Sequence, residues 1–261
     1  MRITVFTSNQ PRHLSYVAKL AEVAETVTAV LECTTIAPGR VTDFYAKSDV
    51  MQTYFSKVIA AERRAFGPAS FSPLNVRTMA VRMGDVNLLS REELSPALES
   101  DVYLVFGSSF LKGWLVEELI ARNAVNIHMG MSPFYRGTAC NFWALYDEKP
   151  EYVGATVHLL SKGLDNGPAL FHVRPDYHGQ EVFDYTMAAV SAVQSRIVMD
   201  LVNGTLLDHK SVENDTSKQI RYSRNAEFTD SVASDFLSRN MSSSDLARLL
   251  DKASKPDLAE S

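Results

Sequence analysis

Residues 2–33 set the strongest limit on the fold. "RITVFTS" (2–8) is short, apolar and β-branched, as a buried strand requires. A polar turn follows, with Pro11 where a helix can begin, and Leu14, Val17, Ala18, Leu20 and Ala21 then recur at helical spacing. "TVTAVLEC" (26–33) reads as a second strand. Two apolar strands joined by a helical crossover lie parallel in one sheet. The pattern therefore predicts an α/β fold, a Rossmann-like and mostly parallel sheet flanked by helices.

The rest of the chain extends that pattern. "APGR" (37–40) reads as a turn, and residues 49–66 as a helix with Met51, Tyr54, Phe55, Val58 and Ile59 on one stripe. Residues 75–84 suit a strand, and Ser90 with Glu93 forms a capping-box pattern opening a helix over 90–99. "DVYLVFGSSF" (101–110) is the clearest buried strand; an amphipathic helix (111–122) and a short strand (124–129) follow. A loop containing Pro133 and Gly137 leads to a helix over 138–148. Residues 152–177 read as two strands joined by a turn containing Asp-Asn-Gly, and residues 181–204 as a long helix ending near Gly204. The composition then turns polar. We place a boundary near residue 206, between a domain of residues 1–205 and a partly helical extension of residues 206–261. The extension has two short amphipathic stretches, with Val232, Phe236 and Leu237, then Leu246, Leu249 and Leu250. These either cap the core or form a homodimer contact.

Composition excludes several classes. The net charge of −5 offers no electrostatic footprint for a nucleic acid. Cys33 and Cys140 are far apart, which suits neither a disulfide framework nor a zinc knuckle. No apolar run approaches the ~18 residues that span a bilayer, and the start reads as a strand, so a cytoplasmic protein without membrane contact is expected. No phosphate-binding G-x-x-x-x-G-K-[ST] loop, G-x-G-x-x-G turn or G-x-S-x-G elbow occurs, and no cluster has metal-ligand spacing.

Chemistry is concentrated at "NIHMGMSPFYRG" (126–137). Side chains alternate along a strand, so Asn126 and His128 share one face and Val125 and Ile127 the other. An amide N–H and a protonated imidazole are both donors, as a carbonyl oxygen needs while it becomes an alkoxide. A nearby carboxylate would hold the imidazolium, and Asp165, in the turn "LDNGP", can supply it. Taken alone, Asp165 is an ordinary turn residue. His158, inside an apolar strand, reads as a packed and hydrogen-bonded core histidine, and Trp114 and Trp143 read as packing residues. Ligands of parallel sheets bind beyond the carboxyl ends of the strands, which adds the loops Ser8–His13 and Gly107–Leu111.

These residues resemble a family. Asn126, His128, Pro133 and Gly137, followed by Gly154, Thr156, His158, Asp165 and Gly167, are similar in order and spacing to the formyltransferases that use 10-formyltetrahydrofolate. The resemblance covers roughly residues 1–205. Met129 and Gly130 depart from it, where proline and serine are usual. It implies Asn126, His128 and Asp165 as the catalytic set. Ser108, Ser109, Phe110 and Leu111 would hold the pterin on one side, and Leu160, Ser161 and Lys162 on the other, with no metal required. The opening "VFTSNQPRHLS" is similar to bacterial sugar-nucleotide N-formyltransferases of lipopolysaccharide O-antigen assembly, particularly those acting on GDP-perosamine. Ser8, Asn9, Gln10, Arg12, His13 and Arg136 would then bind the nucleotide-linked amino sugar, Arg12 by pairing with its pyrophosphate. The residues following the domain are too few for the further domain of transferases acting on initiator tRNA. A dTDP-4-amino sugar acceptor, a formyltetrahydrofolate hydrolase and a catalytically silent binding module are the alternatives.

Overall fold

The computed structural model describes residues 1–35 and 48–253; the turn expected at residues 37–40 lies outside them. The chain alternates as the sequence predicts: β1 (Arg2–Ser8), α1 (Pro11–Val23), β2 (Thr26–Cys33), α2 (Asp49–Phe66), β3 (Val76–Arg82), α3 (Arg91–Leu94), β4 (Val102–Phe106), α4 (Gly113–Ala121) and β5 (Val125–His128). There follow β6 (Tyr135–Gly137), α5 (Cys140–Tyr146), β7 (Ala155–Leu159), β8 (Ala169–Val173), α6 (Val182–Asn203), β9 (Arg221–Ser223), α7 (Asp230–Ser238) and α8 (Ser243–Lys252).

Among the described residues, seven strands form one sheet in the order β3-β2-β1-β4-β5-β7-β8. The first five are parallel, and β7 and β8 join antiparallel. β1 pairs on one edge with β2 and on the other with β4, so the order reverses there and leaves a crevice beyond the strand ends. On the far side, β5 and β7 place Asn126 opposite His158 and His128 opposite Thr156.

Alternation along β1 sends Ile3 and Val5 to one face and Phe6 to the other. The first face packs on Tyr16, Val17 and Leu20 of α1 and Val190, Val193 and Ile197 of α6. The second packs on Leu115 and Leu119 of α4. A third cluster joins α2, α5 and the start of α6 to Ala233 and Phe236 of α7 and Leu246 of α8, so the C-terminal helices take the core-capping role. Local signals fix the ends. Ser48 caps α2 by accepting from Met51 N at 3.1 Å. Gly204 closes α6 in a left-handed conformation.

Two expectations are corrected. The helix over 90–99 is one capped turn, α3, and a 3₁₀ turn over Ser95–Leu98, because Pro96 lacks the N–H a longer helix needs. The loop at 133–137 is partly strand: β6 pairs parallel with β9, from a stretch that reads only as polar. Three-residue strands carry no usable period, so sequence cannot reveal them. No helix among the described residues is long and apolar enough to cross a membrane.

Candidate active site

The last residues of β5 present Asn126 and His128 on one face, while Val125 and Ile127 are buried on the other. Asp165 reaches them from the β7–β8 connection. Its backbone is left-handed (φ 46°), and Gly167 passes so close to Leu159 O that any Cβ there would overlap it. This tight return folds the carboxylate back over the sheet. His128 Nδ1 lies 3.2 Å from Asp165 Oδ2, and Asn126 Nδ2 donates to Asp165 Oδ1 at 3.4 Å. Three separated positions thus meet at one point.

His158 is a packed and hydrogen-bonded core histidine, as its strand position predicts, and one of its hydrogen bonds ties it to Asn126. Asn126 Nδ2 lies 2.9 Å from its Nε2, and its Nδ1 lies 2.8 Å from Leu159 O. A carbonyl accepts only, so Nδ1 carries the proton and Nε2 accepts from the Asn126 amide. That pair fixes which end of the amide faces Asp165.

Electrostatics follow from the geometry. Burial disfavours charge on His128, but the Asp165 carboxylate and the sulfur of Cys140 outweigh it and hold the imidazole well above its ordinary pKa. Burial likewise disfavours charge on Asp165, yet the His128 imidazolium pulls its carboxyl below the usual range. An imidazolium and a carboxylate therefore face each other at neutral pH. Among the described residues, no group of three or more His, Cys, Asp or Glu side chains could hold a metal.

The segments expected to flank a pterin converge. Leu111 is buried in the cluster behind β4, and Leu160 packs against it. Phe110 is half exposed, and its carbonyl accepts from Asn87 Nδ2. Ser161 Oγ donates to Gly163 O at 3.3 Å, and Lys162 Nζ points outward to Glu117 at 2.7 Å.

The loop expected to take the acceptor is more engaged than its sequence suggests. Ser8 is buried, Asn9 is tied to the backbone of Thr34 through both ends of its amide, and Gln10 lies 3.5 Å from Thr34 Oγ1. Arg12 pairs with Glu62 of α2 at 2.7 Å, and the same carboxylate accepts from Arg12 N at the start of α1. Glu62 thus stands where a phosphate was expected. His13 is buried against Phe106 and beneath Gly107; burial and then Arg12 push its pKa well down. It is turned into the core. Arg136 reaches Asn166 Oδ1 at 3.2 Å, beside Asp165, so it braces the loop that carries the carboxylate.

No family model matches the chain. A methionyl-tRNA formyltransferase from Thermosynechococcus vestitus is 28% identical over 151 residues, which is 55% of this chain and 45% of that protein. The match thus spans less than half the length of that relative. A sugar N-formyltransferase structure from a Shewanella species superposes with a TM-score of 0.51 at 16% identity, covering 87% of this chain and 78% of the other. A phosphoribosylglycinamide formyltransferase structure from Anaplasma phagocytophilum gives 0.50 at 18% identity, covering 80% and 88%. The chain has the formyltransferase fold. Asn126, His128 and Asp165 meet where β5 lies beside the β7–β8 turn.

One residue of this formyltransferase fold carries no motif in the sequence. Glu32, at the end of β2, is buried. It accepts from Ser108 Oγ (2.7 Å), Ser109 N (2.6 Å), Ser109 Oγ (2.9 Å) and Gly84 N (2.7 Å). A buried carboxylate is stable only when so satisfied. It fixes the loop after β4, and both Ser108 and Ser109 spend their side chains on it. A lone glutamate ending an apolar strand was the available signal.

Proposed function

We propose that the protein is an N-formyltransferase that moves a formyl group from 10-formyltetrahydrofolate to a primary amine, the 4-amino group of a nucleotide-linked amino sugar. The convergence of Asn126, His128 and Asp165 carries the reading. An unprotonated amine attacks the formyl carbon. Asn126 and the His128 imidazolium donate to the oxygen as it gains charge. The N–H that Asn126 shares with Asp165 is the longer of its two contacts and is the one the oxyanion takes. Asp165 accepts the proton of the amine, directly or through water, and His128 or water protonates the departing folate nitrogen. The fold shared with sugar and ribonucleotide formyltransferases supports this reaction class.

GDP-perosamine is the acceptor we put forward first, from the opening "TSNQPRH", with a dTDP-4-amino sugar second. Arg12 Nη1 is engaged by Glu62, so a pyrophosphate would take the remaining N–H groups of the guanidinium or displace Glu62. The test is incubation of the protein with the folate donor and a panel of GDP- and dTDP-linked 4-amino sugars, followed by mass spectrometry. A formyl mass gain on one sugar is expected. Formate release without any formylated product would make the protein a hydrolase instead. Binding of donor and sugar by calorimetry with neither product would make it a silent module.

A further inference from the structure

Cys140, on the first turn of α5, places its buried sulfur 3.4 Å from His128 Nε2. Its other polar contact is to Gly137 O, at 3.5 Å. His128 is therefore held from both sides, by Asp165 at Nδ1 and by sulfur at Nε2. The approach depends on residue 130. A Cβ there would lie 2.5 Å from Cys140 Cβ and 2.6 Å from His128 Nε2. Any larger side chain at this position would wedge between thiol and imidazole. Gly130 and Cys140 thus act as one device, the glycine making room for the contact.

The chemistry of the contact is asymmetric. An imidazolium has two N–H donors and no acceptor, and a buried donor without a partner costs free energy. Asp165 serves one donor firmly. Sulfur is a weak acceptor, so it satisfies the other without gripping it. We propose that Cys140 is a positioning residue for His128, whose sulfur holds the Nε2–H before substrate arrives and yields it to the formyl oxygen as negative charge develops there. This rests on the formyl-transfer reading of the site. The groups facing His128 are Asp165 from the β7–β8 turn, Cys140 from α5 and the neutral amide of Asn126; His158 on β7 reaches the pair through Asp165. A thiol beside an imidazole oriented by a carboxylate also has the layout of a nucleophile, and the test separates the two roles.

Cys140→Ala and Cys140→Ser, each checked for fold by circular dichroism, are compared with the wild type. NMR of the His128 ring follows its protonation without any turnover. Its titration midpoint is expected to fall in Cys140→Ala and to return part-way in Cys140→Ser. In steady state, Cys140→Ala is expected to lower kcat by ~10-fold, short of the ~10²-fold of a 1 Å misplacement, with KM for the donor nearly unchanged and the alkaline limb displaced with the NMR midpoint. An unchanged midpoint in Cys140→Ala overturns the proposal whatever the activity. A formyl adduct on Cys140 after mixing with donor alone also overturns it, because the thiol would then be the nucleophile. If the wild type transfers no formyl group but the midpoint still falls, the reaction class fails and the placement of Cys140 stands.

Discussion

At the scale of single residues, the proposed mechanism rests on two donors, Asn126 and His128, and one carboxylate, Asp165, which the fold brings together. Removing an oxyanion donor of this kind costs about 3–4 kcal/mol in the barrier, or ~10²–10³ in rate. Asn126→Ala and His128→Ala should each lose that much in kcat while circular dichroism stays native; wild-type turnover in His128→Ala would contradict the roles assigned. The pH dependence has a definite sign. His128 must be protonated to donate with charge, and Asp165 lifts its pKa well above 6.5, so the alkaline limb of the rate lies well above that value. In Asp165→Asn the lifting charge is gone while burial remains, and burial lowers a histidine. The limb should then fall, held up only by the Cys140 sulfur, which a kcat profile from acid to alkaline pH would show; an unmoved limb would mean that another group titrates. Asn126 and His128 were legible because a strand alternates, and Asp165 because its turn belongs to the recognised pattern. His158 was legible as a core histidine, but its tie to Asn126 was not. That tie depends on the pairing that sets it opposite Asn126, and register between strands separated by a loop and a helix leaves no local trace.

At the scale of elements, the start of α1 shows a similar limit. A cation at a helix start next to a strand end suggests an anion site, and the sequence supplies Arg12. The anion that meets it is internal, Glu62, fifty positions along and on another helix. Glu62 is almost fully buried and Arg12 largely so. Breaking a buried pair by removing one partner costs about 3–5 kcal/mol. Arg12→Ala should approach the lower part of that range in denaturant unfolding, because part of the guanidinium reaches solvent. Lys162→Ala, which breaks an exposed pair with Glu117, should leave the denaturation midpoint nearly unchanged, since solvent screens such pairs. If Arg12→Ala is neutral for stability and instead raises KM for the nucleotide sugar, the guanidinium serves the ligand. Glu32 offers the complementary case, a carboxylate that organises the loop after β4. Glu32→Gln keeps the shape but replaces one acceptor oxygen by a donor facing N–H and O–H groups. The expected result is a KM for the folate donor raised about tenfold, close to 1.4 kcal/mol, with KM for the acceptor unchanged. Equal rises in both would reduce Glu32 to a general stabiliser. Its partners in the β4 loop lie more than seventy residues on in sequence, so only its burial at a strand end hinted at a role.

At the scale of the whole molecule, the cluster that joins α2, α5 and α6 also takes in Phe236 and Leu246. That cluster includes Cys140, and Met129 packs against it, so the residues after 206 share a core with the neighbours of His128. Their apolar stretches were legible, but the sequence left open whether they face the core or a second subunit, since an amphipathic helix looks the same in either use. Phe236 and Leu246 are buried within the chain, and Val232, Leu237 and Leu250 pack beside them. A core truncation of this type costs about 3–5 kcal/mol for Phe→Ala and about 2–5 kcal/mol for Leu→Ala, the spread reflecting how far each cavity collapses. Phe236→Ala and Leu246→Ala should therefore lower the denaturation midpoint by amounts in those ranges. Because the cluster is continuous, unfolding should remain one transition, with the tertiary signal and the helical signal lost together. An early transition confined to helical signal, with turnover intact between the two steps, would instead make residues 206–253 a separately folding unit. A light-scattering mass of the wild type settles the oligomer independently. If the mass is that of a dimer and Leu246→Ala does not dissociate it, the contact lies on some other face, because Leu246 is spent on the core of its own chain.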